Sequence, residues 1–393
     1  MKLLRVICAI LALGLIACDK GPEYGTGSPL VIPSLGTPES DEIWFSTTDS
    51  FSLISLDEEG FDVAIKEITY NEGFCGVIRF EAPVRVIKER AFANCHNLQN
   101  ISLPGSIHTI EKEAFWECKN MEAITLGGGL TSCGERAFDN CINLFSLHIP
   151  SIYSWCKIDF ASPTANPLYY TENFFVDDTR IKTVYIDDRI TTIHDYAFYN
   201  YAMLQAITLH SKIESIGRQA FEGCENISKV YFKGQGKDWC KISFEDERAN
   251  PLSIATRLYL TDAYETNTAE LTELNLVGAS EINAYAFINC VSLKRLTTDD
   301  SLITIGEEAF RNCTSLSSVS LGSGVEEIEG KAFMGCSKLT SVTVKATEPP
   351  TLGDKYTFEY NASNRKIYVP NDSYDLYTAD TMWRKYKDSI TKL

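Results

Sequence analysis

Ala91-Phe92-Ala93-Asn94-Cys95 reads AFANC; the chain writes AFWEC at 114–118 and AFDNC at 137–141, each twenty-three residues on. Ala-Phe pairs begin at Ala91, Ala114, Ala137, Ala197, Ala220, Ala286, Ala309 and Ala332. With Ala as position 0, Cys stands at +4 in every copy but one, where Tyr201 replaces it. Leu, Ile or Met stands at +7, and Ile at −4 except for Cys133. Steps of three and four from −4 to +7 predict one face of a short helix or 3₁₀ turn. The period then drops to two, as in Ile101/Leu103, Ile124/Leu126, Val230/Phe232 and Val342/Val344, which predicts a half-buried strand.

A unit of one turn, one strand and a corner cannot bury its own apolar face, so it must stack on its neighbours. In such a stack each residue meets its own copy one coil away, at about 4.8 Å. Ala fits where coils crowd, Phe fills the interior as a spine, and Cys stays buried while donating weakly to a backbone carbonyl. The pattern IxxIxxxAFxxCxxLxxIxLxxx resembles the BspA-like class of bacterial leucine-rich repeat over about residues 42–393. That resemblance implies an α/β repeat fold: a curved leucine-rich-repeat solenoid, with a parallel β-sheet on its concave face and short helices or 3₁₀ turns elsewhere. It also implies cell-surface proteins, some of them adhesins for host matrix proteins such as fibronectin and fibrinogen.

The N-terminus reads as an address. MKLLRVICAILALGLIAC carries Lys2 and Arg5, then an apolar run too short to span a bilayer at ~20 residues. Leu15-Ile16-Ala17-Cys18 resembles a lipobox, so residues 1–17 are expected to be a lipoprotein signal and Cys18 the lipid attachment point. The expected localisation is the bacterial envelope, on the outer membrane with surface exposure. Residues 18–41, rich in Gly and Pro, read as a tether. Residues 42–83 read as an N-terminal β cap, 84–348 as the solenoid and 349–393 as a C-terminal cap. Tyr374, Tyr377, Trp383 and Tyr386 would close the core there.

Two long coils interrupt the rhythm, at about 150–186 and 234–276. They resemble each other, SWCKIDFASPTANPL beside DWCKISFEDERANPL, with Trp155 matching Trp239 and Asn166 matching Asn250. Each is expected to bulge from the stack and still supply one rung, Val184/Ile186 or Leu274/Leu276.

Function is less legible. A net charge of −17, or −19 once Lys2 and Arg5 are removed, argues against nucleic-acid and anionic-lipid partners. The five histidines fall at five different phases of the repeat, so stacking cannot gather them into a metal or catalytic site. No cofactor or metal is expected; Asp177-Asp178 and Asp187-Asp188 carry the oxygens calcium takes but read as solvated loops. The thirteen cysteines are expected to be buried free thiols, because most share one inward position. The chain therefore reads as a non-enzymatic recognition or adhesion lipoprotein for a protein or glycan partner. The alternative is an accessory envelope lipoprotein whose solenoid is a spacer. Outward strand positions +9, +11 and +13 are bland in the outer coils but become Tyr185, His210, Lys229, Tyr231, Lys233 and Arg295 near the inserts. These six are the candidate partner-binding patch.

Overall fold

The structure, a computed structural model, describes residues 35–48, 54, 56–70, 75–262 and 267–393. The expected signal segment and Cys18 lie outside the described residues. Two compact units form. One holds the chain through Lys182 with His194–Met203; the other holds Thr183–Ile193 with Leu204–Leu393.

The first unit contains an eight-stranded sheet. Its strands are β1 (Glu42–Thr47), β2 (Ile65–Tyr70), β3 (Cys75–Phe80), β4 (Leu98–Ser102), β5 (Ala123–Thr125), β6 (Ser146–Ile149), β7 (Asn173–Val176) and β8 (Thr179–Arg180), ordered β8-β7-β6-β5-β4-β1-β3-β2. From β4 to β7 the pairing is parallel; β1, β3 and β2 form an antiparallel cap, and β8 folds back antiparallel on β7.

The second unit contains two such sheets. One runs β9 (Thr183–Tyr185), β10 (Ala206–His210), β11 (Lys229–Lys233), β12 (Leu258–Thr261) and β13 (Thr268–Glu270). The other runs β14 (Glu273–Leu276), β15 (Arg295–Thr298), β16 (Ser318–Leu321), β17 (Ser341–Val344), β18 (Lys366–Val369) and β19 (Ile390–Lys392). All pairs are parallel except β12 with β13. Each insert thus supplies two rungs, not the expected one. The first, β7 or β12, extends the sheet before it and ends in an antiparallel hairpin, and the second, β9 or β14, starts a new sheet.

The repeated turn is built of single i→i−3 turns, the tighter of the two readings from spacing, and not of a continuous helix. Residue −1 has positive φ in all eight copies, from Arg90 (61°) to Lys331 (54°). So does residue +3: Asn94, Glu117, Asn140, Asn200, Gly223, Asn289, Asn312 and Gly335. Left-handed residues four apart break any helix, and Asn and Gly are the types that reach that region most readily. The Asn or Gly at +3 in seven of the eight copies has this cause, and Glu117 is the exception. Isoleucine at −4 belongs to two-residue parallel strands such as Val86–Ile87, Thr109–Ile110 and Ser132–Cys133.

This geometry splits the backbone donors between two tasks. Within the first coil Ala91, Ala93 and Cys95 N–H groups close turns onto Lys88, Arg90 and Phe92. The alternate donors, Arg90, Phe92 and Asn94, reach the next coil's Lys112, Ala114 and Trp116 carbonyls at 3.2, 2.8 and 2.7 Å. The six consecutive amides from Arg90 to Cys95 are all used, three within the coil and three between coils, as a dry interior requires. Side chains then stack on their copies. Phe92, Phe115 and Phe138 lie parallel with centroids 5.0 and 5.1 Å apart, and Phe287, Phe310 and Phe333 repeat this at 5.2 Å. Cys118, Cys141, Cys313 and Cys336 each donate Sγ–H to the Phe carbonyl of the preceding coil at 3.0–3.2 Å. Like charges cannot stack this way, and position −1 alternates Arg90, Glu113, Arg136, with ion pairs of 2.6 and 3.4 Å.

The inserts splice one stack to another with side chains. In place of a coil's backbone donors, Trp155 Nε1 and Asn166 Nδ2 donate to the Ala197 carbonyl at 2.8 and 3.3 Å. Asn166 Nδ2 also reaches Tyr196 O at 2.6 Å. The second insert repeats the arrangement: Trp239 Nε1 and Asn250 Nδ2 meet Ala286 O at 2.6 and 3.0 Å, and Asn250 Nδ2 meets Tyr285 O at 2.8 Å. Tyr201, which replaces the ladder Cys after the first insert, donates its hydroxyl to Ile181 O.

The C-terminal end holds a ninth, altered coil, with Thr357 in the Ala place and Phe358 stacked on Phe333 at 5.5 Å. Beyond it Tyr377, Trp383 and Tyr386 are buried as expected, and Tyr374 is half-buried. Ten cysteines, Cys95 to Cys336, are free and buried. Cys75 of the cap is disulfide-bonded, an exception to the expectation of free thiols.

Two predictions come from this packing. Phe310→Ala removes a ring stacked on both sides and should cost about 3–5 kcal/mol, read as a shifted denaturant midpoint. An unchanged midpoint would mean the ladder is not the core. Trp239→Phe and Asn250→Ala should each cost about 1–3 kcal/mol, and together more than their sum. Either donor alone still serves Ala286 O, so strict additivity in a double-mutant cycle would contradict the splice.

Candidate recognition surface

Strand alternation sends Val184, Ile207, Val230 and Leu258 into the core and their neighbours outward. Parallel register then lines up equivalent outward residues. Tyr185, Thr208, Tyr231 and Tyr259 are consecutive Cα partners across β9, β10, β11 and β12. Tyr185 is 46% exposed; Thr208, Tyr231 and Tyr259 are half-buried. The Tyr231 and Tyr259 rings lie 5.4 Å apart at 39°. Lys233 extends its stem across β10 so that Nζ sits 4.3 Å from the Tyr185 ring centroid and donates to its hydroxyl. Lys229 stands exposed at the start of β11.

Four of the six expected residues thus share one face: Tyr185, Lys229, Tyr231 and Lys233. Two do not join them. His210 ends β10, where the corner of the neighbouring coil closes over it, and it is buried. Its Nε2 donates to Asp187 O at 3.0 Å and its Nδ1 accepts from Lys212 N at 3.2 Å. Burial holds its pKa below the ordinary 6.5, so it brings no positive charge at neutral pH. Arg295 lies on β15, in the other sheet, where it pairs with Glu273. The expectation of one contiguous patch failed there because the second insert starts a new sheet. Sequence reading missed Tyr259; its signal was the alternation Leu258-Tyr259-Leu260, a rung inside the insert.

The corners beside this face are electrostatically settled. The Arg189 guanidinium, hydrogen-bonded to both oxygens, holds the Asp187 carboxyl far below the usual carboxylate range. Lys212, 3.2 Å from Asp188, lowers that group too. Among the described residues no group of three or more His, Cys, Asp or Glu is placed to hold a metal ion. No described helix is long and apolar enough to cross a membrane. In the six-stranded sheet the row equivalent to the tyrosines reads Asn275, Thr297, Ser320 and Thr343. Apart from Tyr368, which continues the row beside Thr343, small polar side chains there take the place of aromatic ones on the same scaffold.

His210 makes a pH prediction. Its folded pKa is depressed while the unfolded value stays near 6.5, so the unfolded chain takes up the proton first. Its contribution to stability is complete above 6.5 and is lost progressively as pH falls from there through the lower folded value. The wild-type melting temperature should therefore fall more steeply between neutral and mildly acid pH than that of His210→Gln. Parallel curves for the two proteins would contradict this.

Comparison with known proteins agrees with the repeat. A family model described as the BspA type leucine rich repeat region matches in six copies over residues 64–158, 170–278 and 280–379. A leucine-rich repeat protein from Bacteroides ovatus is 18% identical, covering 90% of this chain and 98% of its own, with a TM-score of 0.35. A leucine rich cell surface protein from Faecalibacterium prausnitzii is 18% identical, covering 86% and 98%, at 0.36. The pneumococcal vaccine antigen PcpA is 15% identical, covering 84% and 86%, at 0.35. No curated protein matches.

Proposed function

Because the chain belongs to the BspA-type leucine-rich repeat family, we propose that it is a non-enzymatic recognition protein of the bacterial envelope, binding a protein or glycan partner. The observation that carries this reading is the row Tyr185, Tyr231 and Tyr259 beside Lys233 and Lys229, set on paired strands. Tyrosine is enriched in binding hot spots because a large ring with a polar tip gains contact area at low entropic cost. Strands already locked in a ladder lose nothing further on binding. The chain's overall negative charge makes a lysine-bearing face locally distinctive.

Export and a lipid anchor at Cys18 complete the proposal, with the protein held on the outer membrane facing outward. No cofactor takes part, and nucleic acid is not a partner. Host matrix proteins are the first ligands to try, with glycans beside them.

The test is a binding screen of the body against matrix proteins and glycans, followed by Tyr231→Ala with Tyr259→Ala. Losing two hot-spot rings at ~2 kcal/mol or more each should weaken any true ligand well over tenfold. Arg295→Ala, on the other sheet, should bind like wild type. A doubly substituted protein that folds and keeps full affinity would remove this face from the site. Cys18→Ser should separately release the protein from the membrane fraction; wild type found soluble and unacylated after export would end the lipoprotein reading.

A further inference from the structure

Three parallel rows of outward residues cross β9 to β12 in the second unit. The middle row is Tyr185, Thr208, Tyr231 and Tyr259. Two residues earlier on each strand stand Thr183, Ala206 and Lys229, and Arg257, just ahead of β12, falls beside Lys229 in the same register. Both Lys229 and Arg257 are exposed. Two residues later come His210, Lys233 and Thr261. At ~3.3 Å per residue the rows lie about 7 Å apart, and the tyrosines extend over three strand spacings, roughly 14 Å. The face is therefore an aromatic strip with Lys229 and Arg257 along one side and Lys233 along the other.

Its charge is the reverse of the chain's. Among the outward residues of β9 to β13, Glu270 is the one carboxylate, and Arg257 holds it at 2.5 Å. Three cations thus face one acid here, in a chain of 36 basic and 53 acidic residues. Screening at physiological salt acts over about 8 Å, so a ligand on the strip feels these groups and not the distant net charge. The partner that fits is anionic.

Side-chain chemistry narrows the class. The centre of a protein–protein interface is depleted of charge, lysine included. Here lysines border the strip on both sides, and the one outward aliphatic residue of β9 to β12 is Ala206. Nucleic acid and densely sulfated polymers need a broad basic surface with many contacts. Three cations, one of them already paired, suit a polymer of sparse charge. A tyrosine offers an apolar ring with a polar tip, which matches a sugar's C–H face and its hydroxyl rim.

We propose that this strip binds a linear carboxylated polysaccharide, a polyuronate, lying along the tyrosine row. Sugar C–H faces rest on the Tyr231 and Tyr259 rings, and the carboxylates turn to Lys229 and Arg257 on one side and to Lys233 on the other. Lys233 is already laid across β10 with Nζ 4.3 Å from the Tyr185 ring centroid, so it gives up little freedom on binding. This ligand class rests on the recognition role proposed for the face.

The experiment measures binding of the purified full chain to polygalacturonate, with neutral dextran, dextran sulfate and polyglutamate beside it. Polygalacturonate should bind more tightly than the other three, and less tightly as salt is raised. Lys229→Gln with Lys233→Gln should weaken it roughly five- to tenfold, and Tyr231→Ala with Tyr259→Ala well over tenfold. Lys366→Gln, exposed on β18 of the other sheet, should bind like wild type. Melting temperatures check that each variant folds. Equal binding of dextran sulfate or polyglutamate, or an equal loss with Lys366→Gln, overturns the proposal, because charge alone would then set affinity. Failure of polygalacturonate to bind, or full affinity in the folded lysine variant, overturns it too. The recognition reading survives that outcome if the tyrosine variant loses another partner, and falls if that variant keeps every partner.

Discussion

Every part of the structure depends on one constraint: each residue of a coil lies about 5 Å from its own counterpart in the next. Flat rings satisfy that spacing by lying parallel, and Phe92, Phe115 and Phe138 are tilted by only 4° from one to the next. A β-branched or charged residue in the same place would meet its own copy badly. Alanine at position 0 is demanded by the same closeness, since the Phe N–H of one coil must reach the Ala carbonyl of the next at 2.8 Å. Position −1 obeys it with alternating charge, and position +4 obeys it with a thiol small enough to hide and polar enough to donate.

Stacking also creates an accounting problem wherever it is interrupted. A coil that does not repeat leaves carbonyls of its neighbour without their usual donors, deep in the protein. The two inserts solve this alike, with an indole N–H and a carboxamide aimed at the same Ala carbonyl. Trp155 and Trp239 are therefore structural despite being the most conspicuous aromatics in the chain. Burial pushes the insert thiol of Cys156 up to about 12, so these coils carry no reactive sulfur either. Their contribution to recognition is indirect: by ending one sheet and beginning another, they decide which outward residues share a face.

That division shapes the proposed function. One sheet face in the second unit displays tyrosines with a lysine laid against them; its sister sheet displays small polar residues and an ion-paired arginine. The outward face of the first unit's sheet is mostly buried, with His148 stacked on Phe175. Three sheets of the same construction thus differ only in outward side chains, which the core leaves nearly unconstrained. Specificity in a repeat scaffold can change there without disturbing the ladder beneath.

The repeat, its phase, the inward residues and the equivalence of the two inserts were all legible in the amino-acid sequence, because stacking forces identical neighbours and so writes itself as periodicity. Tyr185, Lys229, Tyr231 and Lys233 were legible as outward for the same reason. Conformation inside the turn was not: steps of three and four suit a helix, and only the backbone shows that Asn94 and its counterparts are left-handed and break it. Nor was the fate of His210 or Arg295 written in spacing. The first is buried by the corner one coil away, the second carried to another sheet by a coil of different length, and neither a corner's path nor the end of a sheet is written in the repeat. Sequence by itself determined which residues stack; the tertiary structure alone decided where the stacks end, and with that which side chains stand together.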